Sequence, residues 1–430
     1  MSSAYPFSHF VLIKLCEGKG QASFITILTD DILFEIFDCC RFDIPPGWDH
    51  TWWYKLIHTC RRWRYIILES SSSLQLHLYC TYGTPVAEML KYSPPLPLDI
   101  DYDGEEQMST KDEEGALLAL QQHHRVRFIS LSEPGLQKLL AVADKPFPIL
   151  EDLTLTSPDP FFRSRLPETF TAPRLRHLDL VGVGDVFAPG LPLLASITGL
   201  VTLTLDGIPS QTCLPVKYLT SRLSLMPLLE YLSLQFRASA FGFTESERQH
   251  LSSLKKHFTS DLADLQIVRL PKLHNVAFRG ASTYLEGLVS CIRAPFLTTF
   301  TVTFSPRPST PLPRFSEFLT AAEELRFPVA SFIFSGPNEN NPGVFITVAS
   351  SGQTLDYYSQ DSDTPFLIRF SCRGLDEQVA CAARICTALS PMLSEVENST
   401  LVITQRAGTG GFRQRSRRKC GSSSCDLSAT

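Results

Sequence analysis

One pattern, apolar-x-x-apolar-x-apolar, recurs along most of this chain and limits what it can fold into. Leu150-Leu153-Leu155, Leu175-Leu178-Leu180, Leu200-Leu203-Leu205 and Leu229-Leu232-Leu234 are its cleanest copies. Val126-Ile129-Leu131 is a looser first copy. Leu273-Val276-Phe278 and Leu297-Phe300-Val302 follow, and Val329-Phe332-Phe334 and Val396-Ser399-Leu401 are weak late copies. Successive starts from Val126 to Leu229 lie 24, 25, 25 and 29 residues apart. Proline stands two residues before the first apolar position in five copies, at Pro148, Pro173, Pro227, Pro271 and Pro295. A proline there ends a preceding helix and feeds an extended strand. Helix-compatible stretches, such as 135–143, 216–225 and 284–292, lie between the strands. A strand-then-helix unit of this length cannot bury its own apolar face, so neighbouring copies must bury it by stacking.

That spacing fits leucine-rich repeats, which run about 20–29 residues per unit. The expected body is therefore α/β: an irregular leucine-rich-repeat solenoid over 125–404, with parallel strands inside and helices outside. The usual Asn or Cys after the last strand leucine is replaced by Pro158, Val183, Ile208 and Arg237, so the polar ladder of regular repeats is absent. The gap from Leu229 to Leu273 requires an extra element, expected as a polar helix over 244–257. Thr154, Asp179, Thr204 and Ser233 alternate with the strand leucines. They are the positions expected to face a bound protein.

The N-terminal part reads differently. Leu28, Ile32, Leu33, Ile36 and Phe37 fall on one helical face, with Thr29 as a cap and Asp30 and Asp31 in the first turn. Pro45-Pro46-Gly47 breaks the helix. A second helix is expected from Asp49 or Thr51, with Trp52, Leu56, Cys60, Trp63 and Ile67 as one stripe. Arg61, Arg62 and Arg64 are then placed in its late turns, where the helix dipole favours cations. A unit of 23–80 is marginal alone, so part of its apolar face is expected to meet another protein.

These residues resemble the F-box. LTDDILFEIF at 28–37 is similar to its opening LPxEILxxIF, and TCRRWR at 59–64 to its VCRxWR signature. Thr29 and Asp31 stand where the family usually carries Pro and Glu. The block from Trp52 to Tyr102 also resembles a large F-box-like group of mushroom-forming fungi, and the likeness extends over most of the chain. The resemblance implies the substrate-recognition subunit of a cullin–RING ubiquitin ligase of the SCF type. Leu28, Ile32, Leu33, Ile36, Phe37, Leu56, Cys60 and Trp63 would dock the ligase adaptor, and the repeats would hold an unknown protein substrate. The alternative is a non-catalytic repeat scaffold whose head no longer binds the adaptor.

Composition agrees with a folded protein: 43% hydrophobic and 19% charged residues. The net charge of −5 argues against nucleic acid as the principal partner. Residues 99–114 hold eight acids against one lysine and read as a solvated loop within the 81–124 link. No stretch is apolar enough to span a membrane, and no signal peptide is read in the 1–22 leader. The twelve cysteines are scattered without paired metal-ligand spacing, so no metal site is expected, and mostly buried, reduced thiols fit a cytoplasmic or nuclear protein. No phosphate loop or nucleophile elbow is present. No enzyme activity and no cofactor are expected, and His123, His124 and His177 read as plain residues, His177 facing out from the sheet. Residues 405–430 carry Arg406, Arg413, Arg415, Arg417, Arg418 and Lys419 against Asp426 and read as a disordered basic tail. The change of character at Gln405 is expected of a variant or truncated end of a longer solenoid.

Overall fold

The computed structural model describes residues 28–42, 52–103, 108–132, 135–142, 144–157, 170–182, 194, 197–208, 215–236, 267–304, 312–322, 325, 329–335, 344–349, 366–372, 380, 383, 387, 398–403 and 417–420. The 1–22 leader, the Pro45–Gly47 breaker and the helix expected over 244–257 lie outside these residues. The chain is α/β and divides into two compact units. One is Met1–Val142 with Phe147–Leu150, and the other is Ala143–Pro146 with Glu151–Thr430.

In the first unit, α1 (Asp30–Phe42), α2 (Trp52–Ile57) and α3 (Arg61–Glu69) come first. Then follow β1 (Leu78–Cys80), α4 (Val86–Tyr92), β2 (Leu98–Tyr102), α5 (Thr110–Gln121), β3 (Val126–Ser132) and α6 (Gly135–Leu140). The strands pair in parallel in the order β1-β2-β3, with Leu78 opposite Leu98 and Leu98 opposite Val126. Parallel pairing therefore begins before residue 125, where the sequence pattern placed its start. The template misses β1 and β2 because they show plain alternation, Leu76-Leu78-Cys80 and Leu96-Leu98-Ile100-Tyr102, all buried.

The expected acidic loop over 99–114 is also corrected. Asp99 and Asp101 belong to β2, and Asp112 lies in α5. Asp99, 4% exposed, meets Arg127 at 2.7 Å and His77 at 3.1 Å. Asp112 closes a capping box with Ser109 and also accepts the Gly83 N–H at 2.8 Å.

The second unit carries β4 (Asp152–Thr156), β5 (His177–Val181), β6 (Thr202–Ile208), α7 (Val216–Leu223) and β7 (Tyr231–Phe236). It continues through β8 (Val268–Arg269), β9 (Asn275–Gly280), α8 (Ser282–Cys291), β10 (Ile292–Arg293), β11 (Thr299–Phe304) and α9 (Pro313–Thr320). Strands β4-β5-β6-β7-β9-β11 pair in parallel without a break, so the insertion before β9 leaves the sheet intact. Leu153, Leu178, Leu203, Leu232, Val276 and Phe300 form one continuous buried row. At about 2 kcal/mol per fully buried leucine, such rows hold the strands together. Helices cover this apolar face: Tyr284 of α8 meets Phe236 at 4.7 Å, and Phe315 and Phe318 of α9 meet Phe300 at 5.5 and 5.9 Å.

Each recurring proline has a local role. Leu150, Leu175, Leu229, Leu273 and Leu297 each donate their N–H to the carbonyl three residues back. Pro148, Pro173, Pro227, Pro271 and Pro295 thus occupy the second position of a tight turn, where a fixed φ is favoured. A second regularity marks the strand entries. The Glu151 carbonyl accepts from Arg176 (2.7 Å) and His177 (3.0 Å), and the Arg176 carbonyl from Val201 (2.7 Å) and Thr202 (3.0 Å). Val201, Glu230 and His274 repeat this double acceptance with the next strand's entry.

After β11 the arrangement changes. The remaining strands are β12 (Val329–Ser335), β13 (Val344–Ala349), β14 (Phe366–Cys372), β15 (Asn398–Ile403) and β16 (Arg417–Cys420). Their order is β11-β14-β13-β12-β15-β16. Strand β13 runs antiparallel to both β12 and β14, so the uniformly parallel array expected to residue 404 ends at β14. The connection 336–343 is too short for the crossover of roughly a dozen residues that parallel pairing needs, and a hairpin results. The basic tail, expected to be disordered, contributes Arg417–Cys420 as an antiparallel strand on β15.

Candidate functional site: a helical head and a polar strand face

The head divides the apolar positions of α1 into two sets. Leu33 and Phe37 are buried at 1% and 0% exposure, and the Phe37 ring meets Trp63 of α3 edge-on at 5.1 Å. Leu28, Ile36 and Leu56 are half-buried, while Ile32 is 47% exposed and Cys60 is exposed. Of the eight residues expected to dock an adaptor, Leu33, Phe37 and Trp63 therefore build the head, and Ile32 opens to its surface. Periodicity alone places Ile32 and Leu33 on one stripe and cannot distinguish them.

The second helix differs from expectation. It is broken into α2 and α3, with Cys60 extended at the N-cap of α3. The buried residue of α2 is Trp53, where the stripe predicted Trp52. Arg61, Arg62 and Arg64 consequently lie in the first turn of α3, against the dipole preference. Arg62 finds compensation in the neighbouring helix: it pairs with Asp30 at 2.6 Å and donates to the Leu28 carbonyl. The same helix start is capped as expected, with the Ile32 N–H 3.5 Å from Thr29 Oγ1. Tyr65, 65% exposed on α3, is an aromatic group of the head that the stripe missed.

On the strands of the second unit, Thr154, Asp179, Thr204 and Ser233 occupy one cross-strand row, continued by Ala277 and Thr301. The expected juxtaposition is present. Thr154, Asp179 and Thr204 are half-buried, but Ser233 is 1% exposed and closed to a partner in this structure. Beside them run the rows Asp152–His177–Thr202–Tyr231 and Thr156–Val181–Asp206–Gln235. His177 is exposed, as expected, with Nδ1 3.1 Å from Thr202 Oγ1 and Nε2 3.9 Å from Asp152. The alternation of leucine with polar residues is the whole sequence signal for this face, and it says nothing of what lies over Ser233.

His123 and His124 lie ring to ring at 5.7 Å, and His123 also meets Phe147 at 6.1 Å. Among the described residues no group of His, Cys, Asp or Glu is arranged to hold a metal ion. None of the described helices is long and apolar enough to cross a membrane. The cysteines are less uniformly buried than expected. Cys80 and Cys291 are buried, and burial pushes the Cys80 thiol up to about 12, whereas Cys39 and Cys60 are exposed. The chain matches no family model, no curated protein and no solved structure.

Proposed function

We propose that this chain is the substrate-recognition subunit of an SCF-type ubiquitin ligase. Its helical head docks the ligase adaptor, and its repeat-like strands hold a protein substrate. The single observation that carries the reading is Ile32, an apolar residue left 47% exposed on a helix whose neighbours Leu33 and Phe37 are fully committed inside. Together with half-buried Leu28, Ile36 and Leu56, it offers the apolar anchors that a helix-in-groove contact uses. The F-box-like motifs support the same reading. Ubiquitin transfer would then depend on proximity within the complex, the chain itself supplying position. Thr154, Asp179 and Thr204 are the strand-face positions assigned to substrate.

The test is co-expression of the full chain with the ligase adaptor, comparing wild type with Ile32→Asp. Co-purification with wild type and its loss in the variant, at unchanged melting temperature, is the expected result. Leu33→Asp is the wrong probe, because it places a charge at a buried position and unfolds the head. The second reading, a repeat scaffold with a silent head, draws on the burial of Leu33, Phe37 and Trp63, which leaves fewer anchors than the motif suggests. A soluble wild-type chain that captures no adaptor would favour it.

A further inference from the structure

Strands β8 and β10 form a separate two-residue parallel ladder in which Val268 is opposite Ile292 and Arg269 is opposite Arg293. Matched residues on paired strands lie about 5 Å apart and share one side of the ladder. Both arginines are exposed, and both line one open cleft of about 430 Å³. Its apolar walls include Ile267, Pro271, Pro295 and Phe318. Ile267 is 53% exposed, and Phe296, next in the chain to Pro295, is 44% exposed.

Two cations at matched positions repel each other, and a folded chain ordinarily relieves this with a carboxylate. Among the described residues neither Arg269 nor Arg293 makes an ion pair. Arg293 donates one N–H to the Ile292 carbonyl at 3.0 Å. The carboxylates of α8 and α9 have other partners. Glu286 accepts the Arg314 and Phe315 N–H groups at 3.1 and 2.8 Å and so holds the start of α9, while Glu317 pairs with Arg314 at 2.9 Å. Phe318 and Ala321 at the far end of that helix form part of the cleft wall. The cleft is thus a charged pair beside an apolar floor, built on a chain of net charge −5.

We infer that this cleft docks a peptide segment of another protein that presents an apolar side chain beside an aspartate or glutamate. The apolar group covers the exposed Ile267 and Pro271, and the carboxylate lies across the two guanidinium forks, relieving their repulsion. A lone inorganic anion would leave the apolar walls wet. The assignment does not depend on the ligase reading, since the head takes no part in it. If that reading holds, the cleft is a second place where substrate is gripped.

The experiment pans random peptides of roughly a dozen residues, displayed on phage, against the full-length protein, with Arg269→Ser/Arg293→Ser as the parallel bait. Both arginines are exposed, so the variant should melt with wild type; Arg269→Lys/Arg293→Lys serves as a second, charge-conserving bait. The expected result is enrichment of acidic residues next to apolar ones on wild type alone. A labelled synthetic copy of an enriched peptide should then bind, by fluorescence anisotropy, about tenfold or more weakly to each single arginine-to-serine variant. Its binding should also weaken with salt, and Ile267→Ser should reduce affinity while leaving that salt slope unchanged. The inference is overturned by no enrichment, by equal enrichment on wild type and the serine bait, or by enriched peptides without acids. Inorganic phosphate binding to both arginines without peptide enrichment would overturn it in favour of a simple anion site. Concentration-dependent self-association abolished by the serine variant would overturn it in favour of a second copy of the chain.

Discussion

Asp112 shows how one side chain can hold two elements. Its carboxylate accepts from Ser109 N and Oγ and from Gly83 N, and these hydrogen bonds, the Ser109 hydroxyl foremost, hold its pKa below the ordinary aspartate value. Replacing it with alanine removes a cap and the hydrogen bond to the N–H of the exposed Gly83, at a cost of about 1–2 kcal/mol. A depressed folded-state pKa contributes stability that is full above about pH 4 and is lost as pH falls through the folded value. Urea titrations across this range should therefore show wild type losing its margin over Asp112→Asn in acid; a constant margin would contradict the assignment. Asp99 poses a harsher problem, being buried beside Arg127 and His77 with Oδ1 unbonded. Arg127→Ala should cost about 1–3 kcal/mol, because it leaves the buried Asp99 with His77 as its one remaining ion-pair partner among the described residues. Adding Asp99→Asn should recover part of the loss in a double-mutant cycle.

At the scale of elements, turns and crossing points govern the register of the sheet. Gly207 at φ 72° sits where the β6–β7 register shifts, a left-handed position that suits a bulge. Gly280 ends β9 against aromatic rings: a Cβ there would stand 2.7 Å from Phe236 Cδ2 and 3.0 Å from Phe278 Cζ. Both rings also pack on Tyr284. Gly280→Ala must displace that cluster and should lower stability by about 1–3 kcal/mol. Thermal unfolding of the variant checks this, and an unchanged midpoint would mean that the rings yield without cost. Helix α9 has no side-chain cap of its own at Leu312; Glu286 of α8 supplies it from across the interface. Burial raises the Glu286 pKa even though these N–H groups oppose the shift. No spacing rule in the sequence links Glu286 to residues 314 and 315, because strands β10 and β11 lie between the two helices.

For the second unit as a whole, the change from parallel to mixed pairing after β11 decides where its sheet ends. Strand β15 is flanked by β12 on one side and by β16 on the other. Ending the chain at residue 404 removes β16 and leaves the β15 edge unpaired, a template for strand addition. Light scattering of the shortened chain should show concentration-dependent association that the full chain lacks, and equal behaviour would show that the edge is otherwise protected. The tail was unreadable for a plain reason. Arg417-Arg418-Lys419-Cys420 has no apolar alternation, and its strand exists through backbone pairing with Ser399–Val402.

The sequence by itself determined the class of fold, because a leucine that recurs in phase with a proline turn can be buried only by stacking copies in parallel. It also placed Thr154, Asp179, Thr204 and Ser233 on one row, since side chains alternate along a strand whatever its neighbours are. It located the head's helical start and cap for the same reason: these are local interactions, closed within four residues. The tertiary structure alone decided which apolar residues of the head are spent inside and which remain open. Ile32 and Leu33 are adjacent and chemically alike, and they differ only in what packs against them. Arg269 and Arg293 each stand two residues before a recurring proline, so the repeat itself aligns them; the tertiary structure decided that both line one cleft and that no carboxylate of the described residues pairs with either. Burial and the partners a side chain finds are properties of the packed chain, and spacing along the sequence has no access to them.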